Sequence, residues 1–312
     1  GADVSTFFCC SGTLGALVLL DGAPHILSTN RVLARSGSAV RGEGILQPGL
    51  MDNGCSANGL NLVGGYAGNL VPLGQSVDTA LARVRPGQVD SSGAILGLGV
   101  PCASPAVARI GMRVEKSGRT TGVTAGVVQA INLTTNIQYQ STCHGGRRFR
   151  ESYSHQIAIT PGSFSGSGDS GSLILSAGLR PVALLYAGSS VETLANPIQD
   201  VIAAYQAGGH SFAFVGRSCK RKSAEESSPG IPSDLAVEEV TAVKDRHQAE
   251  LFSHPGVLGI GVGKVDDQET TTETAIVVYF DSTPGAATAK TLPATLEGIK
   301  LRVIPTEPFV AR

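Results

Sequence analysis

Between Thr13 and Tyr186 the chain consists of short apolar runs, three to eight residues long, separated by glycine-rich turns. They run from Leu14–Leu20, His25–Leu27, Gly44–Leu46, Leu60–Val63 and Thr79–Val84 to Val107–Val114, Gly126–Ile131, His155–Ile159, Leu173–Leu175 and Val182–Tyr186. Helical periodicity is nearly absent before Pro197, where Pro197–Tyr205 reads as the first helix. Ten or more short strands with turn signals between them predict an antiparallel barrel or sandwich architecture.

With 312 residues, the chain exceeds what one core usually serves, since single cores stop growing near roughly 250–300 residues. Charged residues make up 16%, below the roughly 25% of an average soluble chain, and hydrophobic residues 42%, enough to fill real cores. No apolar run approaches the roughly 18 residues that span a bilayer, so a soluble protein is predicted. A net charge of −1 offers no reason to expect a nucleic acid or a membrane as partner. The distribution is uneven: residues 1–218 carry +3 and 33 of the 40 glycines, with 13 arginines and one lysine, Lys116, whereas residues 219–312 carry −4.

A boundary therefore falls between two parts. The polar stretch at 217–234, with Pro229 and Pro232, reads as a linker. After it, Ser233–Asp234 supplies a helix start, and Val240, Val243 and Leu251 recur at helical spacing until Pro255. Three strand-like runs at 257–265, 274–280 and 298–304 complete a small α+β module over 235–312. Six cysteines without CxxC pairing make a zinc site improbable and are read as buried small side chains or one or two bridges. The compartment stays open, with the cytoplasm preferred because no signal peptide is visible.

The sharpest chemical signal is Gly168-Asp169-Ser170-Gly171-Ser172, lying between the strand run ending near Thr160 and the apolar run Leu173–Leu175. Glycines on both sides permit a tight turn that aims the Gly168 and Ser170 amides at one point, an oxyanion hole, with Ser170 as nucleophile. This motif resembles the nucleophile loop of the trypsin and chymotrypsin-like serine peptidases of the PA clan. Val77-Asp78-Thr79-Ala80-Leu81 is similar to the segment bearing that family's aspartate, 114–126 to the strand that opens the second barrel in bacterial members, and 193–198 to their approach to the last helix. Spanning roughly residues 11–208, the resemblance implies a mainly β fold, a double β-barrel of the chymotrypsin type (about 1–100 and 101–208 within a 1–216 domain) followed by the α+β module. It implies a serine endopeptidase with Asp78 orienting the base, a protein or peptide substrate, and no cofactor or metal.

The chain departs from the family where the base belongs. Ile26–Ala34 matches the strand and turn that carry the family's histidine, but its place holds Arg31. Arginine keeps its proton and has no acceptor, so it cannot take the Ser170 proton. Losing one member of a triad leaves roughly 10³–10⁴ over water from the oxyanion hole and binding. An extended strand rises roughly 3.3 Å per residue, which puts His25 out of reach. His144, His155 and His210 read as surface or cleft residues, while His247 and His254 belong to the other module. A substituted active peptidase is preferred over a natural pseudoenzyme, because Asp78 and the nucleophile loop look intact. The rival reading is a non-catalytic pseudoprotease serving as a binding or scaffold protein.

In the family, a preference for basic side chains goes with an Asp six residues before the nucleophile; here that position is Phe164. A pocket walled by Phe164, Leu185, Tyr186, Ala187 and Gly188 is expected to favour small or apolar side chains. Arg147–Arg150 reads as a solvated loop, and Gly259–Gly263 lacks the following helix of a phosphate loop. Asn132-Leu133-Thr134 is a glycosylation sequon only in a secreted chain. The 235–312 segment resembles a module that bacterial relatives carry ahead of the peptidase. Its acidic balance against the basic first part predicts docking that controls access to the cleft or homo-oligomer assembly.

Overall fold

A computed structural model describes residues 2–3, 9–74, 76–143, 145–219, 230–283 and 292–312. In chain order the first strands are β1 (Ala2–Asp3), β2 (Ala16–Leu20), β3 (Ala23–Ser28), β4 (Gly44–Gln47), β5 (Asn61–Tyr66) and β6 (Ala80–Val84). Then come β7 (Arg113–Gly118), β8 (Gly122–Thr142), β9 (Gly145–Thr160), β10 (Leu173–Ser176), β11 (Pro181–Gly188), β12 (Thr193–Pro197) and β13 (Phe212–Phe214). The last are β14 (Val257–Lys264), β15 (Thr274–Asp281), β16 (Thr295–Leu296), β17 (Ile299–Thr306) and β18 (Val310–Ala311). Among the described residues three helices, α1 (Asn30–Leu33), α2 (Ile198–Ala207) and α3 (Asp234–Ser253), interrupt them.

The first sheet runs β1-β4-β5-β6-β3-β2-β13, all antiparallel. In the second, β8 pairs with β7, β7 with β10, β10 with β11, β11 with β12, β12 with β9, and β9 again with β8, so six antiparallel strands close on themselves. The fold is mainly β and has two sheets, as the short apolar runs predict. β10 and β11 are buried along their whole length, because the barrel interior covers one face and neighbouring elements the other; they read as unbroken apolar runs for that reason. One core cluster joins Val18, Leu20, Leu27 and Leu81 of the first sheet to Leu173, Leu175 and Leu184 of the second, and Val201 and Tyr205 of α2 pack into it.

Three sequence expectations change. Val107–Met112 is not a strand; β7 starts at Arg113, and the segment before it crosses between the two sheets without a ladder. Residues 132–150, which carry no long apolar run and include the expected loop at Arg147–Arg150, supply the far half of the β8–β9 hairpin. Alternation builds it: Leu133, Ile137, Tyr139 and Tyr153 turn inward while polar neighbours face out, and Arg147–Arg150 is strand. Position 31 sits in the single turn of α1. Of the expected linker, residues 220–229 lie outside the described residues, as does His144.

The expected accessory segment is bonded into the second sheet. β14 pairs with the distal part of β8, with Gly259 opposite Thr135 and Gly263 opposite Ala130; β15 follows, then β17 in parallel. α3 starts at a Ser233 cap whose Oγ accepts from the Ala236 amide. It covers one sheet face through Val240, Val243 and Leu251 against Ile260, Val262, Ile276 and Val278. The other face carries Val277 and Tyr279, which join Ile304, Phe309 and Ala311 in a core shared with Leu133, Ile137, Tyr139, Tyr153 and Tyr186. Gly263 suits the join, since a Cβ there would come within 2.8 Å of the Gln129 carbonyl of β8.

Disulfides Cys9–Cys55, Cys10–Cys143 and Cys102–Cys219 use all six cysteines, more bridges than the sequence reading allowed. Cys10–Cys143 fastens the N-terminal approach to the first sheet onto the tip of the β8–β9 hairpin.

Because Val277, Tyr279, Phe309 and Ala311 complete a core begun by β8 and β9, a chain ending at Ser218 should lose cooperative unfolding and expose apolar surface. Calorimetry and dye binding check this; a sharp transition with no dye binding would contradict the shared core.

Candidate active site

The Gly168–Ser172 loop, where the sequence places a nucleophile, hangs between a single 3₁₀ turn at Gly162–Phe164 and β10. Gly168 and Gly171 adopt φ of +99° and +92°, the region where a side chain is strained. Space forbids one at Gly171 too: a Cβ would fall onto Ser28 Oγ and the Thr13 carbonyl. The loop is thereby pressed against the end of β3, three residues before Arg31. Further bonds hold it there: the Thr13 amide donates to the Ser170 carbonyl at 2.9 Å, the Gly171 amide to the Leu185 carbonyl at 2.8 Å, and the Leu185 amide to the Ser172 carbonyl at 3.0 Å.

Ser170 is 1% exposed, and its hydroxyl donates to the Tyr186 carbonyl at 3.1 Å. Among the described residues the Gly168 and Ser170 amides donate no hydrogen bond inside the protein, which leaves two N–H groups on the loop able to meet an oxyanion.

Asp169, within the motif, is a structural anchor. Its fully buried carboxylate accepts from the amides of Thr120 (2.7 Å), Gly166 (2.9 Å) and Thr121 (3.2 Å) and the Thr121 hydroxyl (2.6 Å), and it pairs with Lys116 at 3.4 Å. Burial pushes its pKa up, but the Thr121, Gly166 and Thr120 bonds and the Lys116 charge outweigh this and hold it below the ordinary carboxylate value. The sole lysine of residues 1–218 is thus spent on fastening the Gly168–Ser172 loop to the β7–β8 turn.

Asp78, also fully buried, lies just ahead of β6. Its Oδ1 accepts the Asn30 amide at 2.7 Å and its Oδ2 the Tyr139 hydroxyl at 2.7 Å. Its backbone is clamped by Asn196, whose Oδ1 accepts the Asp78 amide at 2.9 Å and whose Nδ2 donates to the Asp78 and Leu184 carbonyls. Burial raises the Asp78 pKa to about 6, against the opposing pull of Tyr139, Asn30 and Arg31. Tyr139 and Asn196 escaped the sequence reading; Tyr139 lies in a polar stretch whose alternation was the one available signal, and Asn196 was noted only as part of a segment.

Arg31, adjacent to the residue whose amide binds Asp78, does not take up the carboxylate. Its guanidinium donates to the Ala311 carbonyl and approaches Cys143 Sγ at 3.8 Å. Arg31, Tyr139, Ser167, Gly168 and Ala311 line one cavity of about 420 Å³ between the sheets, and among the described residues no histidine lines it. His25 bonds the Ala23 carbonyl, His210 pairs with Asp21, and His155 lies 3.8 Å from Asp200, all elsewhere. The arrangement provides a hydroxyl, two free amides and a buried carboxylate near a common cleft, with a cation in place of a proton acceptor.

Of the five named pocket residues, Phe164 and Leu185 are buried in the second barrel's core and Tyr186 and Ala187 in the core shared with the C-terminal strands, so their side chains wall no open pocket. Phe164 lies under Lys116, 5.7 Å from ring centre to Nζ. Gly188 does border the side chain of Arg312: a Cβ there would come within 2.7 Å of the Arg312 Nε. The expected preference for small or apolar side chains is not what this space holds.

No protein-family profile matches the chain, and no curated protein does. Solved structures similar to it are trypsin and chymotrypsin-like serine proteases. A glutamic-acid-specific serine protease aligns at 21% identity and a TM-score of 0.46, over 65% of this chain and 92% of that one. Protease A of Thermobifida fusca aligns at 16% and 0.44, over 69% and 100%, and a Cellulomonas bogoriensis chymotrypsin at 18% and 0.40, over 67% and 100%.

Two measurements check the site's physics. Gly171→Ala combines a strained φ with a clash against Ser28 and should cost about 3 kcal/mol or more in denaturant unfolding; a change under about 1 kcal/mol would mean that the loop can move away. Asp78 holds its proton more tightly folded than unfolded, so its contribution to stability is complete below pH 3.8 and is lost as the pH rises through about 6. Asp78→Asn should therefore gain on the unmodified chain by about 2 kcal/mol between pH 4 and pH 7. A gap that stays constant with pH would contradict this.

Proposed function

We propose that the chain has the framework of a serine endopeptidase, with Ser170 as nucleophile, the Gly168 and Ser170 amides as oxyanion donors and Asp78 as the carboxylate that would orient a base from position 31. The observation supporting this most strongly is that the Asn30 amide binds Asp78 while the next residue, Arg31, points into the cleft bordered by the nucleophile loop. In hydrolysis the Ser170 oxygen would attack a peptide carbonyl, the two amides would receive the negative charge, and a neutral imidazole at position 31 would take the hydroxyl proton and return it to the leaving amine. Arg31 can do none of this last step, so the chain as it stands retains only what charge stabilisation and binding supply.

A second reading, a non-catalytic peptide-binding protein, is favoured by what Arg31 does instead: its guanidinium holds a main-chain carbonyl, that of Ala311. Three disulfides are the pattern of an oxidising compartment, and we place the protein's work there.

Arg31→His made together with Arg312→Ala should hydrolyse casein and a small activated ester about 10³-fold faster than the unmodified chain, and a fluorophosphonate should label Ser170. Adding Ser170→Ala should return both signals to baseline. A folded Arg31→His/Arg312→Ala variant with neither hydrolysis nor labelling would overturn the peptidase reading in favour of binding.

A further inference from the structure

The cleft is occupied by the protein's own chain. β18 lies antiparallel to the end of β11, with Ala311 opposite Ala187 and Val310 opposite Gly188, and its other edge pairs with β8 at Gln138. The Arg312 amide continues this ladder to the Tyr186 carbonyl at 3.1 Å. That same oxygen accepts the Ser170 hydroxyl at 3.1 Å, so residue 312 is the one whose main chain is set beside the nucleophile. One step back, the Ala311 carbonyl is held by Arg31.

The Arg312 side chain then enters a slot between two loops. Nη1 donates to the carbonyl of Ser165 and, at 2.7 Å, to its hydroxyl; Nη2 donates to the Ser189 carbonyl on the opposite wall. Gly188 leaves the space the stem passes through, and the Thr193 hydroxyl fixes Ser165 Oγ at 2.6 Å. A planar guanidinium reaches both walls at once, whereas a lysine carries a single nitrogen and an apolar side chain leaves the Ser165 and Ser189 carbonyls without a donor. Antiparallel pairing along one edge with a side chain in a pocket is the usual way an extended peptide adds to a sheet.

We propose that the cleft recognises an extended peptide carrying arginine at the residue beside Ser170, and that the chain's own segment Phe309–Arg312 fills that cleft in cis and keeps it closed to other polypeptides. The proposal takes from the peptidase reading only the location of the substrate groove; pocket and occupant rest on the contacts of Arg312. It assigns Ser165, Gly188 and Ser189 as specificity-determining, and gives the C-terminal strands a regulatory part: Phe309, fully buried beside Tyr279, anchors the segment that blocks the groove.

The test is binding of 4-aminobenzamidine, an aryl amidine whose fluorescence rises when it leaves water, to the full chain and to Arg312→Ala. The vacated slot should bind it at least 10-fold more tightly than the unmodified chain. An arginine methyl ester should compete and the leucine ester should not. No saturable signal in a folded Arg312→Ala, equal binding by both proteins, or equal competition by the two esters would each overturn the proposal. Should Arg312→Ala lower the thermal midpoint, Arg312→Gln, which keeps the stem, takes its place in the same titration. Because amidine binding needs neither Ser170 nor a base, an inactive Arg31→His/Arg312→Ala that still binds the amidine would sink the peptidase reading alone, and an active Arg31→His/Arg312→Ala without amidine binding would sink this one alone.

Discussion

The structure depends on one buried strand. β11 is covered along its whole length. Its Leu184 carbonyl receives Asn196, which clamps Asp78; its Leu185 amide and carbonyl lock both sides of the turn after Ser170; and its Tyr186 carbonyl receives Ser170 and Arg312. Three consecutive peptide units thus set the carboxylate, the hydroxyl and the peptide register together. In an interior packed as densely as a crystal, shifting any one of them would require moving the sheet.

Two carboxylates show how the same burial is put to different uses. Asp169 and Asp78 are both sealed from water. Asp169 has four hydrogen-bond donors and a lysine, and stays below the ordinary carboxylate value; Asp78 has two donors and a more distant cation, and rises to about 6. The number of donors turned toward each group decides the outcome. Asp169 is thereby a fixed charge that anchors a loop, while Asp78 is less firmly held as an anion and is suited to a partner that carries a proton toward it.

Much of the fold was legible before any coordinates. Glycine-punctuated apolar runs announce β10 and β11 because strands buried on both faces need apolar residues at every position, and Gly168 and Gly171 announce a turn that only glycine can make. The β8–β9 hairpin was hidden, since a strand half exposed to water shows only alternation, and its polar positions resemble a loop. Tyr139 was lost with it. The place of Phe164 was hidden for a related reason: it stands six residues before Ser170, but a 3₁₀ turn rotates it into the core, and the slot that holds the Arg312 side chain is formed by Ser165 next to it and the Ser189 carbonyl.

The sequence by itself determined the chemistry available: a serine in a glycine turn, an aspartate ahead of an apolar strand, and an arginine that can never serve as a base. Local rules suffice for that, because side-chain ionisation and backbone strain act within a few residues. Only the tertiary structure decided that β14 to β17 extend the second sheet and that Arg312 lies beside Ser170. Those pairings join residues more than a hundred positions apart in the chain, through main-chain hydrogen bonds and a shared core to which any apolar strand with a free edge could have contributed.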